Sequence, residues 1–303
     1  MTAEACGGTV RIGPAGWSYP DWNGIVYPPG MPRSRHPLSL LSEWFDTVEV
    51  NSSFYRLPDP NHAVAWVRQV AQNPRFLFTV KLWQGFTHGK DWPGDAAVRA
   101  YAAGVLPFFD AGRLGAVLVQ FPWSFRRTTE ARRRLAQIAA AFRELPMAVE
   151  VRHASWDVPE FYASLQDLRI ACCNVDQPLL RDCLPPSDRV TAPFAYARLH
   201  GRNAEHWFRA ESGRNDRYNY LYDHAELDGW VEKVRNMRKQ VNDLFMITNN
   251  HYRGQAVVNA IEMQSALGIL PQSPAPWLVD YYAQLRECRP GKETVIDPPR
   301  PIA

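Results

Sequence analysis

The segment FDTVEVNSSFYRLP, residues 45–58, decides the fold, because its short strand alternates two kinds of side chain. Val48 and Val50 alternate with Glu49 and Asn51. Since neighbouring side chains of a β-strand point to opposite faces, one face of this strand is apolar and the other carries a carboxylate and an amide. A solvent-facing edge strand would explain a single such case, so the interpretation depends on whether other strands repeat the pattern.

The same alternation recurs in six further strands of the chain. The polar residues fall near the C-terminal ends of those strands, at Thr79, Lys81, Gln120, Glu150, Arg152, Asn174, Arg198, His200 and Asn249. In a barrel of parallel strands, one face of each strand packs under helices and the other faces the interior. We therefore predict that these polar side chains line a cavity inside a barrel.

Strand and helix patterns alternate along the chain. The predicted strands are 9–13, 47–51, 76–82, 115–121, 147–152, 169–174, 194–200 and 245–250, and the predicted helices are roughly 38–45, 60–72, 94–111, 129–143, 156–167, 226–241 and 254–268. This order predicts a single α/β domain, a TIM-type (β/α)8 barrel. A doubly wound open sheet is the alternative, but no glycine-rich dinucleotide loop follows the first strand. We expect an N-terminal tail at 1–8, the barrel at 9–270, and a closing helix with a Pro-rich tail at 271–303.

Composition limits the function classes. The chain has 303 residues, 46% of them hydrophobic, and a formal net charge of +3, which does not by itself indicate a nucleic-acid-binding protein. It has no membrane-length apolar run, its five cysteines lack metal-ligand spacing, and its first ten residues do not resemble a signal peptide, so we expect none. We expect a soluble cytoplasmic protein without a membrane partner and with no certain cofactor.

Long loops follow several predicted strands: those at 14–37 and 201–225 are rich in aromatic residues, and 175–193 lacks a helical pattern. Long irregular segments in compact domains are usually functional. These loops and the strand ends would meet at the opening at the C-terminal ends of the barrel strands, here called the mouth, where such folds carry out chemistry. The candidate ligand-binding residues there are Trp17, Asn51, Tyr55, His88, Gln120, Arg152, His153, Trp156, Asn174, Arg198, Arg202, Asn249, Asn250 and His251.

Seven motifs in the chain resemble those of domain-of-unknown-function family 72, the YecE-like proteins. They are GPAGWSYPDWNGIVYP, FDTVEVNSSFYRLP, FTVKLWQGFTH, VLVQFPWSF, AVEVRHASW, YARLHGR and ITNNHYRGQAVVNA, which together cover residues 11–268 in family order. The resemblance implies a TIM-type β/α barrel but no established activity. An analogy with endonuclease IV-type barrel nucleases adds a nucleic-acid-like ligand to the candidates.

Three functions fit these residues. The first is a hydrolase, of phosphodiester type, acting on a phosphorylated or nucleic-acid-like anion. Glu49 or Glu150 would be the general base and His200 or His88 the acid, and developing charge would be stabilised by Lys81, Arg152 and Arg198. A metal-dependent version would recruit Glu49, Glu150 and His200 as ligands of a divalent ion. The second is a glycosidase-like enzyme using the two glutamates as its carboxylate pair. The third is a non-catalytic protein that binds a small anion or a nucleic acid.

The charges at the strand ends also admit a purely structural role, because buried charges must be paired and a lattice of Glu and Arg could simply hold the barrel together. The cations outnumber the carboxylates, with Lys81, Arg152, Arg198 and Arg202 against Glu49 and Glu150. An excess of positive charge in a recessed site favours an anion. We therefore expect a phosphate or carboxylate group to bind at the mouth.

Overall fold

Eight parallel strands form one sheet in the computed structural model, which describes residues 7–209, 211 and 213–291. The strands are β1 (Thr9–Pro14), β2 (Thr47–Val50), β3 (Leu77–Lys81), β4 (Leu114–Gln120), β5 (Met147–Glu150), β6 (Ala171–Asp176), β7 (Phe194–Leu199) and β8 (Asp243–Thr248). Their order in the sheet follows the chain from β2 to β8, and β1 pairs with β8. The predicted (β/α)8 barrel is confirmed.

Helices connect most successive strands over the described residues. They are α1 (Pro37–Leu41), α2 (Ser52–Tyr55), α3 (Pro60–Gln69), α4 (Gln84–Thr87), α5 (Asp95–Asp110), α6 (Thr129–Ala141), α7 (Pro159–Asp167), α8 (Ala204–Trp207), α9 (Arg214–Arg217), α10 (His224–Arg238), α11 (Gln255–Ala266) and α12 (Pro276–Tyr281). The connection between β6 and β7, residues 177–193, is described throughout and contains no helix. This agrees with the loop expected there from the sequence.

The barrel closes at a narrow contact between β1 and β2, here called the β1–β2 seam. The two strands share one isolated parallel bridge, Ala15 to Glu49, and the amide of Gly16 donates to the carbonyl of Glu49 at 2.9 Å. Close approach requires a glycine below this bridge, because a Cβ at Gly13 would lie 1.9 Å from the carbonyl oxygen of Thr47. By contrast, β1 pairs with β8 along its whole length, from Thr9–Asp243 to Pro14–Thr248.

Helix α10 illustrates how local sequence produces the outer layer. It begins with a capping box, in which the Asp223 side chain accepts from the amide of Glu226 and the Glu226 side chain accepts from the amide of Asp223. These two bonds satisfy amide groups that a helix N-terminus otherwise leaves without partners. The helix buries one apolar face, formed by Leu227, Trp230, Val231, Val234 and Met237.

The barrel interior changes from aromatic to ionic along its axis. Near the N-terminal ends of the strands the Phe245 ring fills the interior so closely that a Cβ at Gly115 would lie 2.6 Å from it. The Tyr196 ring lies next to Phe245, with the ring centroids 6.2 Å apart. Above this layer come side chains that are charged or polar yet fully buried, namely Glu49, Glu150, Arg198 and His200.

Beyond the barrel, α12 and a 3-10 helix at Ala283–Glu287 complete the described chain. Residues 1–6 and 292–303 lie outside the described residues, and with them most of the predicted N-terminal tail and of the Pro-rich C-terminal tail. In the part of the chain that the structure describes, no helix combines the length and the apolar character needed to cross a membrane.

Candidate functional site

One buried guanidinium joins the two candidate carboxylates. Arg198 Nη2 lies 2.7 Å from Glu49 Oε1, and Arg198 Nη1 lies 2.7 Å from Glu150 Oε2. All three side chains are 0% exposed. Charge-assisted hydrogen bonds of this length compensate for the water that the ions lose on burial. Arg198 is therefore an internal counter-ion of the barrel rather than a group facing a ligand.

The second oxygen of Glu49 is held from below by a tyrosine. Tyr196 Oη lies 3.0 Å from Glu49 Oε2 and 2.9 Å from Thr79 Oγ1. A phenol has one proton and a carboxylate only accepts, so Tyr196 donates to Glu49 and accepts from Thr79. Both oxygens of Glu49 are thus occupied by fully buried donors.

Glu150 accepts more donors than any other acid of the inner network. Arg152 Nε lies 2.7 Å and His200 Nε2 3.1 Å from Glu150 Oε1, in addition to the Arg198 contact. Burial alone would raise the pKa of Glu150, but the charges of Arg198 and Arg152 and the bond from His200 hold it well below its usual range. Glu150 is therefore ionised at neutral pH and is a weak base.

His200 is neutral at physiological pH. Burial, and next the charge of Arg152, lower its pKa to about 3, against the opposing effect of Glu150. Its Nδ1 lies 3.0 Å from Asn249 Nδ2, which donates, so the ring proton sits on Nε2 and is given to Glu150. This assignment leaves His200 without a proton to release to a ligand near pH 7.

Lys81 joins this network through a neutral amide rather than through a carboxylate. Its Nζ donates to Gln120 Oε1 at 2.8 Å, and Arg198 Nη1 donates to the same oxygen at 3.1 Å. The ring centroid of Phe54 lies 4.4 Å from Nζ. Burial, and next the charge of Arg198, lower the pKa of Lys81 to about 7, so a large fraction of this amine is neutral at pH 7.

Arg152 occupies the open side of the network. Its side chain is 11% exposed, and its guanidinium carbon lies 5.8 Å from the ring centroid of Trp207. Nε is bonded to Glu150, whereas Nη1 has no hydrogen-bond acceptor among the described residues. The His88 ring centroid lies 5.0 Å from that of Phe54, the ring that Lys81 Nζ contacts, and partial burial and then the charges of Lys81 and Arg152 lower the pKa of His88 to about 4. The mouth therefore presents an arginine edge beside a lysine.

Aromatic rings from three loops continue from this edge. The Trp207 and Tyr218 ring centroids are 6.1 Å apart, and those of Tyr218 and His251 are 5.4 Å apart. His251 stacks on Tyr19 at 4.4 Å, and Asn51 Nδ2 lies 3.4 Å from the Tyr19 hydroxyl. These rings form one wall of the mouth, so Asn51 and His251 lie on the side expected from the sequence.

The prediction that Asn174 faces the interior is wrong. Cys173 pairs in register with Tyr196, an interior residue, so the next residue along β6 points outward. Asn174 Oδ1 accepts from Ser187 Oγ at 2.7 Å and from the amide of Arg189 at 2.9 Å, which ties the loop after β6 to the strand. The sequence ACCN has no apolar–polar alternation, so its pattern did not indicate which face was which.

The expectation that Arg202 adds positive charge to the mouth is also wrong. Arg202 makes a two-point contact with Asp176, Nε to Oδ1 at 2.8 Å and Nη2 to Oδ2 at 2.7 Å, and its Nη1 lies 2.9 Å from Glu226 Oε1. Asp176 is fully buried and also accepts from Tyr222 Oη at 2.8 Å and from Trp230 Nε1 at 2.7 Å. Arg202 is therefore neutralised on the helix-facing side of the strands.

Five other candidates have local packing or hydrogen-bonding roles. Trp156 is 1% exposed and its Nε1 donates to the carbonyl of Phe125 at 2.7 Å. The remaining four are His153, which caps a 3-10 helix through Ser155; Asn250, which donates to the carbonyl of Tyr220; Trp17, packed edge-on against Trp66; and Tyr55, which is 59% exposed. None of these five joins the hydrogen-bonded network among the described residues, which comprises Glu49, Lys81, Gln120, Glu150, Arg152, Arg198, His200 and Asn249.

Sequence reasoning missed several residues of the site. Tyr196 shares a strand face with Arg198 and His200, so the period-two pattern could have identified it. Trp207 and Tyr218 belong to the long loop expected after β7, but only the fold shows which of its aromatic residues reach the mouth. Asp176 ends β6 and carried no signal, since its partners are far apart in the sequence.

Two other arrangements bear on the chemistry. In the described part of the chain, no group of three or more His, Cys, Asp and Glu side chains could hold a metal ion. Glu49, Glu150 and His200 were the expected ligands of a divalent ion, but Arg198 lies between the two carboxylates and occupies the position that the ion would need. A cavity of about 160 Å³ lies between β5, β6 and α7, away from the mouth, and is lined mainly by apolar residues and the Arg189–Asp157 pair.

Comparisons with known proteins identify the family and the fold of this chain. The family model described as "Protein of unknown function DUF72" matches residues 11–279. The chain is similar to the UPF0759 protein YunF of Bacillus subtilis, with 29% identity over 90% of this chain and 100% of that protein. It is also similar to the crystal structure of a DUF72 family protein from Thermotoga maritima, with 33% identity, a TM-score of 0.73 and coverage of 85% of this chain and 98% of the other.

A DUF72 family protein from Enterococcus faecalis has the same architecture, with a TM-score of 0.76, 27% identity and coverage of 86% of this chain and 96% of the other. The matches extend over nearly the whole barrel rather than one motif. The resemblance seen in the sequence motifs is confirmed. The chain therefore belongs to the DUF72 family.

Proposed function

We propose that this protein binds a small anionic molecule at the mouth through a phosphate or carboxylate group. The observation that carries the proposal is the outer edge of Arg152, whose Nη1 has no acceptor among the described residues and whose side chain reaches solvent. A guanidinium edge in a recess recognises two oxygens of a planar or tetrahedral anion. Lys81 lies at the same opening and supplies a second donor.

The charge balance of the network favours an added anion. Glu49 and Glu150 are matched by Arg198 and Arg152, and His200 is neutral, so every proton taken up by Lys81 is a positive charge without a described counter-ion. A phosphate or carboxylate beside Lys81 would stabilise the ammonium form and raise the pKa of Lys81. Anion binding near pH 7 should therefore be accompanied by proton uptake.

Hydrolysis by the residues expected from the sequence receives less support than binding. Glu150 accepts from three donors and its lowered pKa makes it a poor general base, and neutral His200 already gives its one ring proton to Glu150. A glycosidase also needs a protonated carboxyl group, whereas Arg198 contacts both glutamates. The contacts favour an anion-binding role for the ionic network.

Isothermal calorimetry with inorganic phosphate tests the proposal. The substitution Arg152→Gln should weaken phosphate binding by about 30-fold, since a desolvated arginine–anion contact is worth about 2 kcal/mol. Arg133→Gln, on the exposed face of α6, is the matched control and should leave the affinity unchanged. Equal affinities of the wild type and Arg152→Gln, or no binding by the wild type at millimolar phosphate, would refute the site.

A further inference from the structure

Lys81 is a buried amine without an acidic partner. It is 8% exposed, and it forms no ion pair with any described carboxylate. Its one hydrogen-bond acceptor among the described residues is the neutral amide oxygen of Gln120, at 2.8 Å. Lysine is seldom buried unless a counter-ion is present, because the ammonium ion loses much more hydration than the neutral amine does. This position therefore selects against the charged form.

The neighbours of Lys81 strengthen this selection. The two nearest acids, Glu49 and Glu150, are already held by Arg198. Arg198 also donates to the same Gln120 oxygen as Lys81, which places a permanent positive charge beside the amine. Burial and that charge bring the pKa of Lys81 to about 7, in contrast to about 10.4 for an exposed lysine. Amines activated by burial and a neighbouring cation are nucleophiles toward carbonyl groups.

We infer that Lys81 is a nucleophile that condenses with the carbonyl group of an anionic aldehyde or ketone held at the mouth. The inference rests on the anion site proposed above: Arg152 would hold the phosphate or carboxylate group away from Nζ, so that the anion does not stabilise the ammonium form while the carbonyl carbon meets neutral Lys81. One N–H of the neutral amine goes to Gln120, and its lone pair remains for the bond to carbon. The substrate class is thus a small carbonyl compound that carries an anionic group.

The bond changes balance without any further reagent. The lone pair of Nζ forms a C–N bond as the carbonyl π bond breaks, and the proton released from nitrogen moves to the oxygen to give a carbinolamine. Loss of the hydroxyl group together with the second nitrogen proton gives an imine and one water molecule. Hydrolysis reverses both steps, so a stable adduct requires reduction of the imine.

A second reading of the same contacts is that Lys81 only packs on Phe54. The distance of 4.4 Å from Nζ to the ring centroid suits a cation–π contact, which needs the ammonium form. A packing role predicts no reaction with aldehydes, whereas a nucleophilic role predicts selective reaction at this one lysine. Reductive trapping distinguishes the two.

The experiment treats the full chain with glyoxylate and sodium cyanoborohydride and locates the carboxymethyl group by peptide mass mapping. The chain has five lysines, so each can be followed separately, and they are Lys81, Lys90, Lys233, Lys239 and Lys292. Labelling of Lys81 should exceed labelling of exposed Lys90 in the same sample by about tenfold at pH 7, because far less of an exposed lysine is deprotonated there. As pH rises, the Lys81-to-Lys90 ratio should fall, since Lys81 can gain at most about twofold in neutral amine above pH 7, whereas Lys90 gains far more.

Variants and a neutral aldehyde complete the test. Lys81→Met should remove the selective label, and Lys239→Met, at an exposed position, should keep it. Propanal has no anionic group and should label Lys81 about tenfold more slowly than glyoxylate, and Arg152→Gln should remove most of that difference. Peptide mapping of the labelled wild-type chain remains a valid test even if Lys81→Met folds poorly.

The outcomes separate this inference from the proposed function. If calorimetry shows phosphate binding but Lys81 is labelled no faster than Lys90, the imine inference is overturned and the anion site stands. If both aldehydes label Lys81 equally and phosphate does not bind, the anion site falls, and with it the anionic substrate class. Selective labelling by glyoxylate together with phosphate binding supports both.

Discussion

At the scale of single residues, Arg198 determines whether two acids can be buried. Replacing it with methionine would fill much of the space but leave Glu49 and Glu150 without their shared cation. Removing one partner of a buried ion pair costs about 3–5 kcal/mol, so we expect Arg198→Met to lower the free energy of unfolding in urea by at least that amount. Arg133→Met, on exposed α6, should change it little. A loss below 1 kcal/mol for Arg198→Met would contradict the network described here.

The same residues show what alternation can and cannot predict. The period of two placed Glu49, Lys81 and Arg198 on the inner faces of their strands, because side-chain direction is a local property of a strand. The partners were not predictable, since which residues meet inside a barrel depends on the stagger between distant strands. Asn174 was assigned to the wrong face because its neighbours gave no apolar pattern.

At the scale of elements, Asp176 joins β6 to α10 and to the loop after β7. It accepts from Arg202, Tyr222 and Trp230, all on the helix-facing side. Asp176→Asn removes the charge and turns one acceptor into a donor, which should lower the free energy of unfolding by about 2–4 kcal/mol. Phosphate affinity at the mouth should stay unchanged, because Arg152 has no bond to this cluster.

Asp228→Asn is the matched control. Asp228 is exposed on α10, the helix that the Asp176 side chain contacts through Trp230, and its replacement should hardly change the free energy of unfolding. Chemical denaturation gives the stability and calorimetry the affinity of each variant. If fully folded Asp176→Asn fails to bind phosphate, the hydrogen bonds around Asp176 and the anion site at the mouth are energetically coupled. That result would contradict their separation in the structure.

The elements themselves were largely predictable, and their contacts were not. Runs of β-branched residues and helical periodicity located the strands and long helices, since both signals are local. The short helices α8 and α9 lie within the long aromatic loop and were not expected, because four-residue helices leave no periodic pattern. The Asp176 cluster depends on how α10 lies over the strands, which no local pattern records.

At the scale of the whole molecule, the buried groups make stability depend on pH. The folded-state pKa of His200 is about 3, and the unfolded value is about 6.5, so the unfolded chain binds more protons between these limits. The free energy of unfolding should therefore fall as pH decreases from about 6.5 toward 3. Glu150 adds to the fall once the pH drops below its unfolded pKa of about 4.3.

Urea titrations at several pH values measure this slope. His200→Asn should flatten the decline between about pH 6 and 4, whereas His62→Asn, at an exposed position on α3, should leave its slope unaltered. Stability that does not change across this range, or the same slope in His200→Asn and the wild type, would show that the buried imidazole is not held neutral by the fold.

Eightfold repetition made the barrel predictable, because each strand–helix unit repeats the same local signal. The way in which the barrel closes was not predictable from the sequence. The β1–β2 seam depends on a single bridge and on the close approach at Gly13, and both involve residues far apart in the chain. Sequence patterns report repeats well, but they do not report how the first strand meets the second and the last.

The dependence of Glu49 and Glu150 on Arg198 has a consequence for the synthesis of the chain. During translation Glu49 and Glu150 leave the ribosome long before Arg198, and β1 acquires its β8 partner only when residues 243–248 have emerged. Until then the nascent chain has acidic strand ends that must remain hydrated, so the early strands cannot bury their inner faces. A product truncated before residue 198 therefore cannot complete the ionic centre of the barrel, and it should remain open to cellular proteases until it is removed.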